Sequence, residues 1–430
     1  MHAGDVLTLD IEKPAAGGRM LARHQGRVVL VSGAIPGERV TARIERVSSA
    51  VVFAETVDVT TPSASRRAIS VDLRCGGCAL AHVEYDWQLH LKQEIVQDAF
   101  SRIGRLPLPD KPPIVSSPER GYRMRARLHV SGGRLGFFRE GTHDICDPVT
   151  TGQLADSTEQ WLARASDVLQ THRLDGLTAL EIAENVAGDA RACHLELRSG
   201  IDVAPFEPLA QGLVGLSAQR GDRPEVVVLA GRPSIADTLE LSTPSATAVT
   251  LGRDVRAFFQ SNRFLVERLA RHVVDLVPHG PVVDLYAGVG LFGLALAASG
   301  VDAVTLVEGD PVGGADLEAN ARPYAGVRVE RRSVESVVTS SRFGAIAADA
   351  TVIVDPPRTG LSKEVLGALV RAAPPRLVYV SCDPATLARD CRGLSDNGYE
   401  LAAMTLFDMF PNTAHVEAVA ILRRRRETAT

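Results

Sequence analysis

Val283-Asp-Leu-Tyr-Ala-Gly-Val-Gly-Leu-Phe292 reads as the end of a buried strand, a glycine turn and the first turn of a helix. On either side the same alternation repeats. Ala303-Val-Thr-Leu-Val-Glu308, Val327-Arg-Val-Glu330, Val352-Ile-Val-Asp355 and Leu377-Val-Tyr-Val-Ser381 are short apolar runs separated by helical segments. Strands buried on both faces and alternating with helices imply a doubly wound, Rossmann-like α/β sheet, which places ligands at the carboxyl ends of its strands. A last pair of runs, 401–407 and 415–422, reads as antiparallel, with the second inserted as the final strand.

The turn limits what that edge can bind. Gly288 and Gly290 let backbone approach a ligand closely, and Glu308, ending the next strand, is placed to accept from ribose hydroxyls. No third glycine falls at dinucleotide spacing, because Gly293 is followed by Leu and Ala in a helix. No Lys-Ser/Thr follows the turn, which argues against a P-loop. An adenosyl ligand without a pyrophosphate fits better, which points to S-adenosylmethionine.

Three further stretches carry chemistry. In Leu377-Val-Tyr-Val-Ser-Cys-Asp-Pro-Ala-Thr-Leu-Ala-Arg389 a strand ends on Cys382, and Asp383-Pro384 cap and start a helix. The positive pole of that helix is expected to lower the thiol's pKa and make it a nucleophile; a cysteine acting as a small buried hydrophobe is the alternative. Val354-Asp-Pro-Pro-Arg-Thr-Gly360 fixes Asp355 at the sheet edge. In Phe410-Pro-Asn-Thr-Ala-His-Val-Glu417 the last carboxylate has apolar neighbours, a setting that raises its pKa and suits a general base or acid; an exposed edge-strand glutamate is its alternative.

The chain has 430 residues, so two or three domains are expected. An apolar fraction of 45% and a charged fraction of 23% are those of a globular protein, and no apolar run is long enough to span a membrane. A cytoplasmic monomer is the expectation. With a net charge of −5, any nucleic-acid surface must be a local basic patch. Six scattered cysteines are too few for a disulfide framework.

Residues 1–62 alternate apolar and polar positions between glycine turns and read as a small closed β-barrel. Ile11-Glu12, Gly17-Gly-Arg-Met-Leu-Ala22 and Val31-Ser-Gly-Ala-Ile-Pro-Gly-Glu-Arg-Val40 resemble a TRAM domain, an RNA-binding barrel of the OB type. Residues 63–250 read as an α+β module. It opens with the linker Thr60-Thr-Pro-Ser-Ala-Ser-Arg-Arg67 and the pair Cys75-Gly-Gly-Cys78, and continues with an amphipathic helix over 85–103. In Gly121-Tyr-Arg-Met-Arg-Ala-Arg-Leu-His-Val130, alternation puts Arg123, Arg125 and Arg127 on one face of a strand. They suit either an RNA phosphate backbone or ion pairs at a solvated surface.

Taken together, Phe259-Gln-Ser-Asn262, Asp284-Leu-Tyr-x-Gly-x-Gly290, Asp355-Pro-Pro-Arg-x-Gly360, Ser381-Cys-Asp-Pro-Ala-Thr-Leu-Ala-Arg389 and Phe410-Pro-x-Thr-x-His-Val-Glu417 resemble the RNA uracil-5-methyltransferases. The resemblance covers nearly the whole chain. It implies Cys382 as nucleophile, Glu417 as proton acceptor, and Gln260, Tyr286, Glu308 and Asp355 lining the methyl-donor and substrate pocket. An unstacked target base calls for a stacking aromatic such as Phe258 and for arginines that grip the backbone. Two departures stand out. Leu291 replaces an asparagine common after the second glycine. The iron–sulfur members carry four cysteines, whereas this chain has Ile69 near the first ligand position and none around Thr151-Gly152. No cluster or other metal is expected.

The resulting expectation is a methyltransferase domain over 251–430 that uses S-adenosylmethionine to methylate a uridine in RNA, with ribosomal RNA favoured over transfer RNA because of the barrel. An RNA-folding protein with a vestigial pocket and an RNA cytosine-5-methyltransferase are the alternatives. Cytosine enzymes place the nucleophile in a Pro-Cys or paired-Cys context, which Ser381-Cys382 does not match.

Overall fold

The computed structural model describes residues 1–241 and 247–425; residues 426–430 of the expected C-terminal unit lie outside them. Five N-terminal strands, Val6–Pro14, Met20–His24, Arg27–Ser32, Arg39–Val47 and Val51–Thr61, close into a barrel. Strand alternation turns Leu9, Ile11, Met20, Ala22, Val29, Val31, Val40, Ala42 and Ile44 inward, where they are buried. Several outward arginines meet carboxylates: Arg19 with Glu45 at 2.6 Å, Arg39 with Asp10 and Arg43 with Glu55, both at 3.7 Å. Much of the basic bias of this segment is therefore balanced on the barrel's own surface.

The middle of the chain forms a seven-stranded sheet in the order Val226–Gly231, Gly215–Arg220, Arg191–Leu197, Leu177–Glu184, Arg125–Ser131, Arg134–Phe138 and Ile145–Cys146. The helix Asp156–Thr171 covers it with Trp161, Leu162, Ala165 and Leu169. The strand expected over 121–130 begins only at Arg125. Before it, Arg123 makes a single bridge to Asn262 rather than joining the sheet, so the three arginines do not share one regular face.

The C-terminal sheet is the doubly wound one. Val327–Glu330, Val304–Val307, Val282–Leu285, Thr351–Val354 and Arg376–Ser381 lie parallel in that order. Glu417–Arg424 then inserts antiparallel between Arg376–Ser381 and Tyr399–Phe407. The central strands are buried from end to end, as parallel strands covered on both faces require. Earlier segments complete this unit. Ile114–Val115 adds an eighth strand against Leu406 and Phe407, and the helix Tyr85–Ala99 buries Val96 and Ala99 in its core. The hairpin Ser234–Glu240/Ala248–Asp254 contributes Leu239, Val249 and Leu251 to the same unit. Among the described residues no helix is long and apolar enough to cross a membrane.

Candidate active site

Sheet order explains which residues meet. Thr351–Val354 and Arg376–Ser381 are parallel neighbours, so Asp355 and Cys382 leave adjacent strands at the same edge. Glu417 opens the antiparallel strand whose Ala418 pairs with Ser381, which brings this carboxylate beside Cys382. Glu417 is only 3% exposed. Burial raises its pKa well above the usual carboxylate range, and the Asp355 charge pushes the same way. Burial likewise holds Asp355 up at about 7, opposed by a hydrogen bond from the buried Gln260. Two carboxyls this close ionise as a pair.

The thiol departs from the sequence expectation. Its pKa is pushed up to about 11, chiefly by burial and then by the Glu417 and Asp355 charges. Asp383 occupies the pole of the helix beside it. Its carboxylate accepts from the N–H groups of Ala385 and Thr386, both at 2.9 Å. What favours the thiolate is Arg358, whose guanidinium lowers the sulfur's pKa. Arg358 stands inside the Asp-Pro-Pro-Arg run, yet its role could not be read there, since only the fold turns it toward Cys382.

On the neighbouring strand ends lies the glycine turn. Gly290 has φ +102°, and a Cβ there would come within 2.4 Å of Leu294 Cδ1 and 2.9 Å of Leu317 Cδ1. Tyr286 is itself held at φ +66°, a conformation that non-glycine residues rarely adopt away from functional turns. The Gly288 N–H donates to Glu308 Oε2 at 2.7 Å and the Asp310 N–H to Glu308 Oε1 at 2.6 Å, which fixes the glutamate against the turn. Asp284, fully buried in the strand, accepts from the Gly293 N–H at 2.9 Å, and among the described residues its Oδ1 has no partner. Burial and the nearby Asp355 and Glu308 charges raise Asp284 to about 8. Leu291 is buried in the apolar core.

A cleft of about 670 Å³ opens beside this edge, walled by the barrel turn at Gly17, the cysteine loop, the central sheet and the strap carrying His415. Arg123 and Arg127 both line it, but differently. Arg123 is half-buried and donates to Gln153 Oε1 at 2.7 Å, whereas Arg127 pairs with Glu196 and Glu181. Arg125 pairs with Glu181 at 2.9 Å and reaches the Arg256 carbonyl. For Arg125 and Arg127 the ion-paired alternative is the one seen. Phe258, two residues before Gln260, is 63% exposed. Asn262 is wholly buried and holds Ser117 Oγ and the Met409 carbonyl, a structural role.

The cysteine loop also differs from expectation. Cys75 and Cys146 are joined as a disulfide, with Cα atoms 6.0 Å apart, and Cys78 is buried and free. A sequence separation of 71 hides this contact. It arises because Phe137 pairs with Cys146 while Arg139 bridges to Cys75.

The profile of the tRNA (uracil-5-)-methyltransferase family matches residues 249–425, and that of the TRAM domain residues 2–57. The 23S rRNA (uracil(1939)-C(5))-methyltransferase of Thiobacillus denitrificans is 32% identical over 98% of this chain and 99% of its own. An RNA methyltransferase of Corynebacterium glutamicum is 30% identical over 98% and 97%. The chain belongs to the RNA uracil-5-methyltransferase family. The crystal structure of Pyrococcus abyssi tRNA (uracil-54, C5)-methyltransferase with S-adenosyl-L-homocysteine covers 96% of this chain and 99% of its own, at 24% identity and a TM-score of 0.76, and so shares the fold.

This uracil-5-methyltransferase is S-adenosylmethionine-dependent, and its glycine turn fits that cofactor. The charges of Asp355 and Glu308 both bear on the buried Asp284, a cost that a ligand carrying a sulfonium and an ammonium relieves. The unpartnered Asp284 oxygen and the half-buried turn at Gly288, where a Cβ would meet nothing within 4 Å, supply polar contacts for it.

Proposed function

We propose that this enzyme methylates C5 of a uridine in 23S ribosomal RNA through a covalent bond between Cys382 and C6 of the ring. The observation that carries the reading is the meeting of Cys382, Arg358, Glu417 and Asp355 at one sheet edge, beside a cleft walled by all three parts of the chain. Uracil C5 is a poor nucleophile. Addition of the Cys382 thiolate to C6 makes an enolate of the ring, and Arg358 steadies the sulfur's charge beforehand. S-adenosylmethionine, when bound by Asp284, Glu308 and the turn at Tyr286–Gly290, supplies an electrophilic methyl group. After C5 is methylated, Glu417 takes the C5 proton, the C5–C6 double bond re-forms, and Cys382 leaves as the thiolate. A buried carboxylate of raised proton affinity suits that step.

Asp355 and Gln260 favour uracil over cytosine. Uracil N3 carries a hydrogen that a carboxylate accepts, whereas cytosine N3 is a bare acceptor that would face Asp355 unsatisfied. Phe258 is placed to stack on the displaced base. The ribosomal target follows the relative from Thiobacillus denitrificans, and the chain acts as a cytoplasmic monomer. Incubating the enzyme with methyl-labelled cofactor and unmodified 23S ribosomal RNA or transfer RNA transcripts tests this. Label in one uridine of the ribosomal transcript is expected, and label only in transfer RNA would overturn the ribosomal assignment.

A further inference from the structure

The wide cleft is not where the target ring reacts. Arg358 and His415 line it, but Cys382, Asp355 and Glu417 do not. Arg358, whose charge acts on the thiol, also lines the cleft and so links the two. At about 670 Å³ the cleft has the size of sites that enclose a whole ligand, so it calls for an occupant of its own.

The wall across from Arg358 names the chemistry of that occupant. His129 and Phe138, on adjacent strands, stack with centroids 3.5 Å apart and planes 10° from parallel. His143 meets Phe138 edge-on at 5.5 Å and 85°. All three rings line the cleft, in a chain with only 5% Phe, Trp and Tyr. Five arginines share the space: Arg74, Arg123, Arg127, Arg139 and Arg358. Arg74 and Arg123 line it without a carboxylate in salt-bridge range among the described residues, whereas the nearby Arg127 and Arg139 pair with Glu196 and Asp72. His129 is held below its ordinary pKa by burial and by the Arg127 charge. Flat rings beside guanidiniums that have no carboxylate partner match a nucleobase joined to a phosphate.

We propose that the His129–Phe138 stack, edged by His143, is a holding site for a second nucleobase of the RNA, one that flanks the target uridine and leaves its helix with it. The inference rests on the reading that this cleft admits RNA. Lifting one nucleotide strips its neighbours of a stacking partner, and an aromatic surface replaces the lost contact at roughly 10- to 100-fold in affinity per base. Arg74 and Arg123 take the phosphates on either side of the held base.

The test uses the full-length enzyme and an RNA hairpin copying the segment around uracil 1939 of 23S ribosomal RNA. Each base flanking the target is replaced in turn by an abasic nucleotide. With wild-type enzyme, one abasic hairpin is expected to bind about tenfold more weakly than the intact one. With Phe138→Leu or His129→Leu the intact hairpin already binds that weakly, and removing the base costs nothing further. His129→Phe, which keeps a ring, restores the difference. Equal losses in wild type and variants, or no loss at either position, would overturn the holding site. Thermal melting of each variant identifies any that fails to fold, and the remaining one decides. Methyl transfer to the intact hairpin is scored separately: RNA bound but never methylated would defeat the functional reading, whatever the abasic series shows.

Discussion

At the scale of the residue, the thiol of Cys382 sets the terms. It sits in a pocket that disfavours its charged form, and only Arg358 opposes that. The reacting form is the thiolate, whose fraction grows with pH until the pKa is passed. With Cys382 raised to about 11 and Glu417, which must also be ionised, raised as well, kcat/KM should climb through the neutral and alkaline range with no plateau near the pKa of an ordinary thiol. In Arg358→Gln the sulfur loses its one favourable charge, so the rise should move to higher pH. Each unit of movement removes about tenfold of the thiolate at neutral pH. A profile identical to wild type would show that Arg358 has another task. Cys382→Ala should lower methyl transfer by on the order of 10⁴-fold or more while RNA binding, read by filter retention, persists. Glu417→Gln should stall elimination and leave a protein–RNA adduct that migrates slowly in a denaturing gel.

At the scale of the element, the helix Pro384–Ser395 shows how one cap serves two opposed ends. Asp383 satisfies its first N–H groups, which stabilises the helix and occupies the pole that would otherwise favour the neighbouring sulfur anion. Asp383→Ala should therefore destabilise the protein by about 1 kcal/mol in denaturant titration. It should also make Cys382 react faster with iodoacetamide at neutral pH. Loss of stability without a gain in reactivity would separate the two effects. The alternation of apolar strands and helices was legible because parallel strands need both faces covered, and Gly288-Val-Gly290 was legible because turns at strand ends need positive φ. The start of the arginine strand was not. Arg123 fits the alternation of its neighbours, and only its bridge to Asn262, 139 positions away along the chain, pulls it from the sheet toward Gln153.

At the scale of the whole molecule, what escaped the sequence was contact between distant segments. Cys75 with Cys146, Ile114 with Leu406, and Lys92 with Asp408 are pairs whose local patterns carry no sign of one another. The last pair is wholly buried, and it holds the start of the strap that leads through His415 to Glu417; Lys92 also donates to the Phe410 carbonyl at 3.0 Å. Lys92→Met leaves Asp408 buried without its counter-charge, held only by the Tyr85 hydroxyl at 2.9 Å, which should cost about 3–5 kcal/mol in denaturant titration. A change under 1 kcal/mol would mean that water reaches the carboxylate.

The short strand Ile114–Val115 bears on how such a protein comes to exist in the cell. It lies far upstream of the sheet it completes, so that sheet gains its last strand only when these early residues meet Tyr399–Phe407. A fragment beginning at residue 251 would lack that partner and present the open side of Tyr399–Phe407 to other chains, an invitation to aggregation.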